Sequence, residues 1–261
     1  MAWRELGDPY WAAWSLYNIG VAYSNLNRFE KAIEYYEQAL TNYRAVKNRA
    51  GEGNTLGSLG SAYRTLGRND KSIEYHEQAL AIYREVKDRW SEGVTLGNIG
   101  VAYGYGLSRH EKAIEYYGQA LAIAREVKNR AGEGNMLSNM GVAYANLNRY
   151  EKAIEYYEQS LAIYGELKAR FNEGIVLNNL GNAYYYLGRY DKAIEAQEQA
   201  IAISRESKNR IREGVILNDL ANSYFNQQQY EKAAEYFRQG IAVFREVKDR
   251  RREGLLIYAL G

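Results

Sequence analysis

The chain has no cysteine, which excludes disulfides, thiol nucleophiles and thiolate metal sites. It has a single proline, Pro9, so that residue punctuates none of the interior. No apolar run approaches the roughly 20 residues of a membrane span, and Met1-Ala2-Trp3-Arg4-Glu5 does not read as a signal peptide. A cytoplasmic protein with no membrane partner is expected. Charge of one sign is missing too. The 34 basic residues stand against 32 acidic ones, so there is no broad cationic field to attract nucleic acid. Histidine is scarce, with only His76 and His110. No Gly-rich phosphate loop, Ser/His/Asp set or cluster of metal ligands is visible. The expectation is therefore no catalytic residue, no metal, no cofactor and no enzyme.

What is abundant is tyrosine, at 26 residues, and it recurs in a frame. Gly-x-Ala-Tyr appears as Gly20-Val21-Ala22-Tyr23, Gly60-Ser61-Ala62-Tyr63, Gly100-Val101-Ala102-Tyr103, Gly141-Val142-Ala143-Tyr144 and Gly181-Asn182-Ala183-Tyr184. A drifted sixth copy is Ala221-Asn222-Ser223-Tyr224. The period is 40 residues, with one step of 41 between Gly100 and Gly141. Self-similarity at this spacing is the mark of a solenoid. The extra residue falls near Gly104-Tyr105-Gly106-Leu107-Ser108 and is expected to lengthen a turn between helices.

Within one copy, Leu177, Leu180, Gly181 and Tyr184 follow i, i+3, i+4, i+7, one face of a helix A. The segment Leu187-Gly188-Arg189-Tyr190 breaks it, and a helix B is expected from Asp191, read as its N-cap. Glycine inside a helix costs about 1 kcal/mol against alanine, so a glycine at one fixed position implies close packing. Tyr184 is expected to fill the space that Gly181, Ala193 and Ala200 leave. Helix B is expected to run on through Tyr83-Arg84-Glu85-Val86-Lys87-Asp88-Arg89, with Glu85–Arg89 and its counterparts as i,i+4 pairs. The next helix A then opens at Glu-Gly, as in Glu52-Gly53 and Glu92-Gly93.

These residues resemble the tetratricopeptide repeat, with its large apolar residue, Leu-Gly, Tyr, Ala, aromatic and Ala at set offsets. In the second copy they are Leu56, Leu59, Gly60, Tyr63, Ser72, His76 and Ala79; in the fourth, Leu137, Met140, Gly141, Tyr144, Ala153, Tyr157 and Ser160. The 40-residue unit is longer than the family's usual 34 and is similar to the repeats of LGN/Pins cell-polarity adaptors and of bacterial, especially cyanobacterial, signalling arrays. The resemblance implies an all-α, right-handed superhelical α-solenoid over residues 1–261. Its hairpins fall at about 13–52, 53–92, 93–133, 134–173, 174–213 and 214–253, with a partial seventh at 254–261. Asp8-Pro9 is expected to start the first helix, with Trp3 and Leu6 folding back on it; Trp11 and Trp14 are expected to cover the open end, the alternative being a ligand contact by Trp14. The apolar half-helix at 254–261 implies a longer chain or self-association through an uncapped end.

In such arrays the A helices line a concave groove. Two residues before each glycine stand Asn18, Ser58, Asn98, Asn139, Asn179 and Asp219; one after stand Val21, Ser61, Val101, Val142, Asn182 and Asn222. Asparagine is disfavoured inside helices, so the ladder either holds an extended peptide backbone or bonds a neighbouring helix. The ligand-binding candidates are Asn18, Asn98, Asn139, Asn178, Asn179, Asn182, Tyr185, Tyr186, Asn218, Asp219, Asn222 and Phe225, with Arg64 as the groove's one evident cation. His76 reads as a core histidine. The expected function is a protein–protein interaction scaffold binding a protein or peptide. The alternatives are a regulatory or sensor module of a larger signalling protein and a consensus-like scaffold with no natural ligand.

Overall fold

The computed structural model describes residues 9–260; the expectations for Trp3, Leu6 and Asp8 lie outside them. Among the described residues there are thirteen α-helices, one π-helical turn and no strand. The chain divides into two compact units, 1–132 and 133–261. The first holds α1 (Pro9–Asn25), α2 (Phe29–Ala45), α3 (Arg49–Thr65), α4 (Asn69–Glu85), α5 (Arg89–Val101) and α6 (His110–Glu126). The second holds most of α7 (Arg130–Asn146), then α8 (Tyr150–Glu166), α9 (Arg170–Tyr186), α10 (Tyr190–Glu206), α11 (Arg210–Asn226), α12 (Tyr230–Glu246) and α13 (Arg250–Leu260). Odd-numbered helices are the A helices and even-numbered ones the B helices. Within each unit A and B alternate, and consecutive A helices also touch, α1 with α3 and α9 with α11.

Short turns with one left-handed residue set these boundaries. Helix B ends at Glu85, not Arg89, because Lys87 takes φ +59° and the Asp88 N–H closes back on the Tyr83 carbonyl at 2.9 Å. This is a Schellman-type stop. Asp88 then caps the next helix, its Oδ1 accepting from the Ser91 N–H at 3.0 Å. Asn48 and Asn209 do the same for α3 and α11. The A helices therefore open four residues ahead of Gly53, Gly93 and Gly214. Helix B of the fifth copy starts at Tyr190 after Arg189, which makes no side-chain cap, so Asp191 lies inside the helix.

The extra residue near Gly104 is absorbed differently from expectation. It widens the end of the A helix into a π-turn, Ala102–Gly106, and the linker that follows keeps its length. Gly106 lies so close to Asn69 that an added Cβ would fall 2.3 Å from its amide.

Tyr184 packs in one buried cluster with Ala183 and Ala193, as expected, but it is not what covers Gly181. The glycine of each A helix is covered by a B-helix side chain: Gly20 by Tyr36, Gly60 by His76, Gly100 by Tyr117, Gly141 by Tyr157, Gly181 by Gln197. The A-helix tyrosines, Tyr63, Tyr103, Tyr184 and Tyr224 among them buried, pack alongside, and most stack on a second B-helix tyrosine, as Tyr63 on Tyr75 at 5.2 Å and Tyr144 on Tyr156 at 5.2 Å. A lysine sits over each, Lys71 over Tyr63 and Lys152 over Tyr144. Tyr184 has Ala196 in that place; its hydroxyl reaches Glu158. Trp11 and Trp14 are exposed and meet edge to face at 6.0 Å.

Where one hairpin meets the next, a buried glutamate of helix A is held by two arginines. Glu92 accepts from Arg84 Nε at 2.9 Å and from Arg89, and Arg89 also reaches Glu126 at 3.0 Å. Burial alone would raise the Glu92 carboxyl; the two guanidiniums outweigh it and hold it below its ordinary value. Glu52, Glu213 and Glu253 repeat the arrangement. Glu85 and Arg89 are not the helical neighbours expected, because the turn at Lys87 puts them on different helices. Glu85 pairs with Arg49 of the preceding A helix instead. At one junction the pattern lapses: Gly165 replaces the first arginine and Ala169 the capping residue, and among the described residues Glu173 pairs with Arg170.

Candidate functional site

In the second unit, α9 and α11 bring four of the sequence candidates together around one carboxylate. Asp219 Oδ2 accepts from Asn178 Nδ2 and Asn182 Nδ2, each at 3.1 Å, and its Oδ1 lies 3.4 Å from Asn218 Nδ2. The chain continues inward: Gln197 Nε2 donates to Asn182 Oδ1 at 3.1 Å and Ser223 Oγ to Gln197 Oε1 at 2.8 Å. Burial raises the Asp219 carboxyl, and the three amide donors pull it partly back. This cluster ties two A helices together. Asn178 and Asn182 therefore spend their donors inside the protein.

Beside it the surface opens. A pocket of about 470 Å³ is lined by Val142, Asn146, Asn179, Asn182 and the rings of Tyr150 and Tyr186. Those two rings stack at 5.0 Å, with Tyr186 64% exposed. Tyr185 meets Tyr186 edge to face and accepts from Asn226 Nδ2 at 2.9 Å. Phe225 and Tyr230, both exposed, form a similar T-shaped pair at 5.3 Å. The result is an aromatic shelf at the A–B corner with amides on its inner side. Asn222 donates to the Asn218 carbonyl along its own helix, and Asn139 is half-buried on α7.

In the first unit the A helices present smaller groups. A pocket of about 310 Å³ has Tyr17, Ser58, Ser61, His76, Trp90 and Asn98 among its walls. Tyr17 and Ser58 join their hydroxyls across α1 and α3 at 3.3 Å. Of the other candidates here, Asn18 turns back to the Trp14 carbonyl at 2.8 Å, and Arg64 is exposed at the end of α3.

Sequence reasoning missed the B-helix contribution. Tyr150, Tyr190 and Tyr230 are the first residues of their helices, nine positions after Gly141, Gly181 and Ala221. That recurrence was available as a signal. Trp90 and the floor position of His76 carried none.

A family profile described as Tetratricopeptide repeat matches residues 2–45, 11–85, 51–126, 91–166 and 172–246. No curated protein sequence matches the chain. Among solved structures, BtubC from P. vanneervenii is similar at 19% identity and TM-score 0.75, covering 84% of this chain and 92% of that one. A STAND protein with a tetratricopeptide repeat sensor, PH0952 from Pyrococcus horikoshii, is similar at 22% identity and TM-score 0.77 over 95% of this chain and 41% of that one. A Rap protein complexed with Competence and Sporulation Factor is similar at 20% identity and TM-score 0.66, over 95% and 74%.

Proposed function

We propose that this chain, which belongs to the tetratricopeptide-repeat family, is a protein-interaction module whose A-helix face holds a segment of a partner protein. The observation that carries the reading is the shelf of the second unit. Exposed, stacked aromatic rings with amides alongside supply contact area at low entropic cost and hydrogen bonds to a main chain. Asn146, Asn179, Tyr150 and Tyr186 are the residues assigned to the partner. Asn178, Asn182 and Asp219 are assigned to holding the face in shape. No arginine or lysine lines this pocket among the described residues, so the segment it favours is neutral rather than acidic.

A regulatory role is the second reading, favoured by the PH0952 sensor and the Rap–factor complex among the structural neighbours. In that reading the same face would report on a peptide or protein for an effector, in a cytoplasmic, bacterial setting. The test is affinity capture from a lysate with the wild-type chain and with a Tyr186→Ala/Asn179→Ala variant. Partners recovered by the wild type alone support the shelf; equal recovery by both chains overturns it.

A further inference from the structure

His76 is the residue of the first unit that its surroundings least explain. It is 1% exposed, yet neither Nδ1 nor Nε2 has a hydrogen-bond partner among the described residues. A buried polar atom left unpaired costs on the order of 1–3 kcal/mol, and neutral imidazole carries two such atoms, one donor and one acceptor. The next copy bears this cost at one atom, the buried and unpaired Tyr117 hydroxyl; His76 bears it at two. The same position holds Tyr36, Tyr117, Tyr157, Gln197 and Phe237, and Tyr36, Tyr117 and Tyr157 lie over Gly20, Gly100 and Gly141 as His76 lies over Gly60.

Imidazole is shorter than phenol, so the exchange removes volume where a tyrosine tip would reach. The pocket of about 310 Å³ has His76 in its wall. Its size matches the lower end of small-ligand sites. Two small residues keep it open: Ser61 stands where Val21, Val101 and Val142 stand in other copies, and at Gly57, a glycine shared with Gly97 of the next copy, an added Cβ would meet nothing nearer than Tyr83 Oη at 3.8 Å. Trp90 gives an exposed flat wall and Asn98 a further amide.

No charged side chain lines the pocket among the described residues. Burial, and after it the Arg64 charge, push the His76 imidazole down to about 4, so it is neutral at physiological pH. A charged ligand would lose hydration here without an opposite charge in the pocket wall, Arg64 lying outside the lining. An uncharged planar group that both donates and accepts fits the hydroxyls of Ser58 and Ser61, the Asn98 amide and the Trp90 face, with the buried His76 ring behind them.

We propose that the His76 pocket binds a neutral carboxamide, presented either by a free small molecule or by the main chain or side chain of a peptide. The inference deepens the proposed reading, since it uses the same A-helix face, but its test is separate: it needs no partner protein and does not involve Tyr186.

With two histidines in the chain, the imidazole ¹⁵N resonances of His76 can be followed by NMR with His110 as internal control. Propionamide, propionate and propylammonium are titrated into the full chain. Propionamide is expected to shift the His76 nitrogens in a saturable way and to leave His110 unmoved. The two charged probes are expected to do nothing at the same concentration. A capped Ala-Gly-Ala peptide amide forms the second arm: tighter binding than propionamide identifies a chain segment as the source, weaker binding a free ligand. His76→Tyr restores the residue of other copies over Gly60 and should abolish saturable perturbation of the pocket amides while the melting temperature holds. Should that variant fold poorly, Ser61→Val fills the pocket from α3 and should weaken propionamide at least about tenfold, or 1.4 kcal/mol. No shift at His76 with propionamide, or equal shifts with propionate, overturns the proposal.

Discussion

Two copies, one in each unit, solve the same packing problem at one repeat position with opposite chemistry. In the second, Tyr157 lies over Gly141, 1% exposed, and contributes bulk. In the first, His76 lies over Gly60 equally buried, and it contributes a polar edge that nothing in the fold answers. The A faces above them follow suit. Over the second unit the amides are fixed on Asp219 and a tyrosine shelf faces out; over the first, small hydroxyls and Gly57 leave a neutral hollow. A frame repeated with one backbone can thus be tuned for rigidity in one place and for vacancy in another by one B-helix residue.

The sharpest way to break that contrast is truncation. Tyr157→Ala should lower the stability of the second unit by about 3–5 kcal/mol, as for other buried aromatics, while His76→Tyr should leave the first unit unchanged or more stable. Urea unfolding of both variants checks this; equal losses would mean that the position has no special meaning in the first unit.

Acidification separates the units next. An imidazole held near 4 when folded and at 6.5 when unfolded takes up its proton preferentially in the unfolded chain. Above pH 6.5 this has no effect; the loss grows as pH falls through 6.5 and is complete below 4, at about 3 kcal/mol. The difference between wild type and His76→Tyr, measured from pH 7.5 down to 4, should show this slope. A difference independent of pH would contradict it.

The polar cluster of the second unit gives a smaller effect. Asp219→Ala removes the acceptor of Asn178 and Asn182 and should cost about 1–3 kcal/mol, with faster amide hydrogen exchange in α9 and α11. A change below about 0.5 kcal/mol would show that the cluster is surface decoration.

A last contrast runs between junctions. Asp88 and Arg84 complete the link into α5, whereas Ala169 and Gly165 leave the link into α9 short of a cap and of an arginine. Nothing lies within 4 Å of a Cβ added at Gly165. Gly165→Arg should gain about 0.7–1 kcal/mol from helix propensity, with a further contribution from pairing to Glu173. Ala169→Asn should add about 1 kcal/mol as a cap. A thermal melt of the double variant that fails to rise would refute both assignments.

Much of this architecture was legible in the residues themselves. Gly-x-Ala-Tyr at a 40-residue period specifies stacked hairpins, because a glycine inside a helix is tolerated only where something presses on it. What pressed on it was not legible, since the covering side chain lies sixteen residues downstream, or seventeen for Gly100 and Tyr117, on the other helix. Glu85 and Arg89 looked like helical neighbours; a left-handed lysine between them, which no propensity scale favours, sent each to a partner some 36 residues away. At the candidate site the Asn ladder was visible, but that Asn178 and Asn182 turn toward Asp219 depends on the approach of α9 to α11. That the His76 nitrogens would be left without partners could not be read from its identity alone.

The wide turn at Ala102–Gly106 bears on how such a chain can change length. One residue inserted into a helix ordinarily rotates all that follows by about 100°, exchanging inner and outer faces. Here the bulge swallows the addition within five residues, and α6 begins with the same linker and phase as every other B helix. Removing one residue from 104–106 should therefore yield a plain forty-residue copy with its neighbours undisturbed. Repeats of this type can gain or lose single codons without forfeiting their reading of inside and outside.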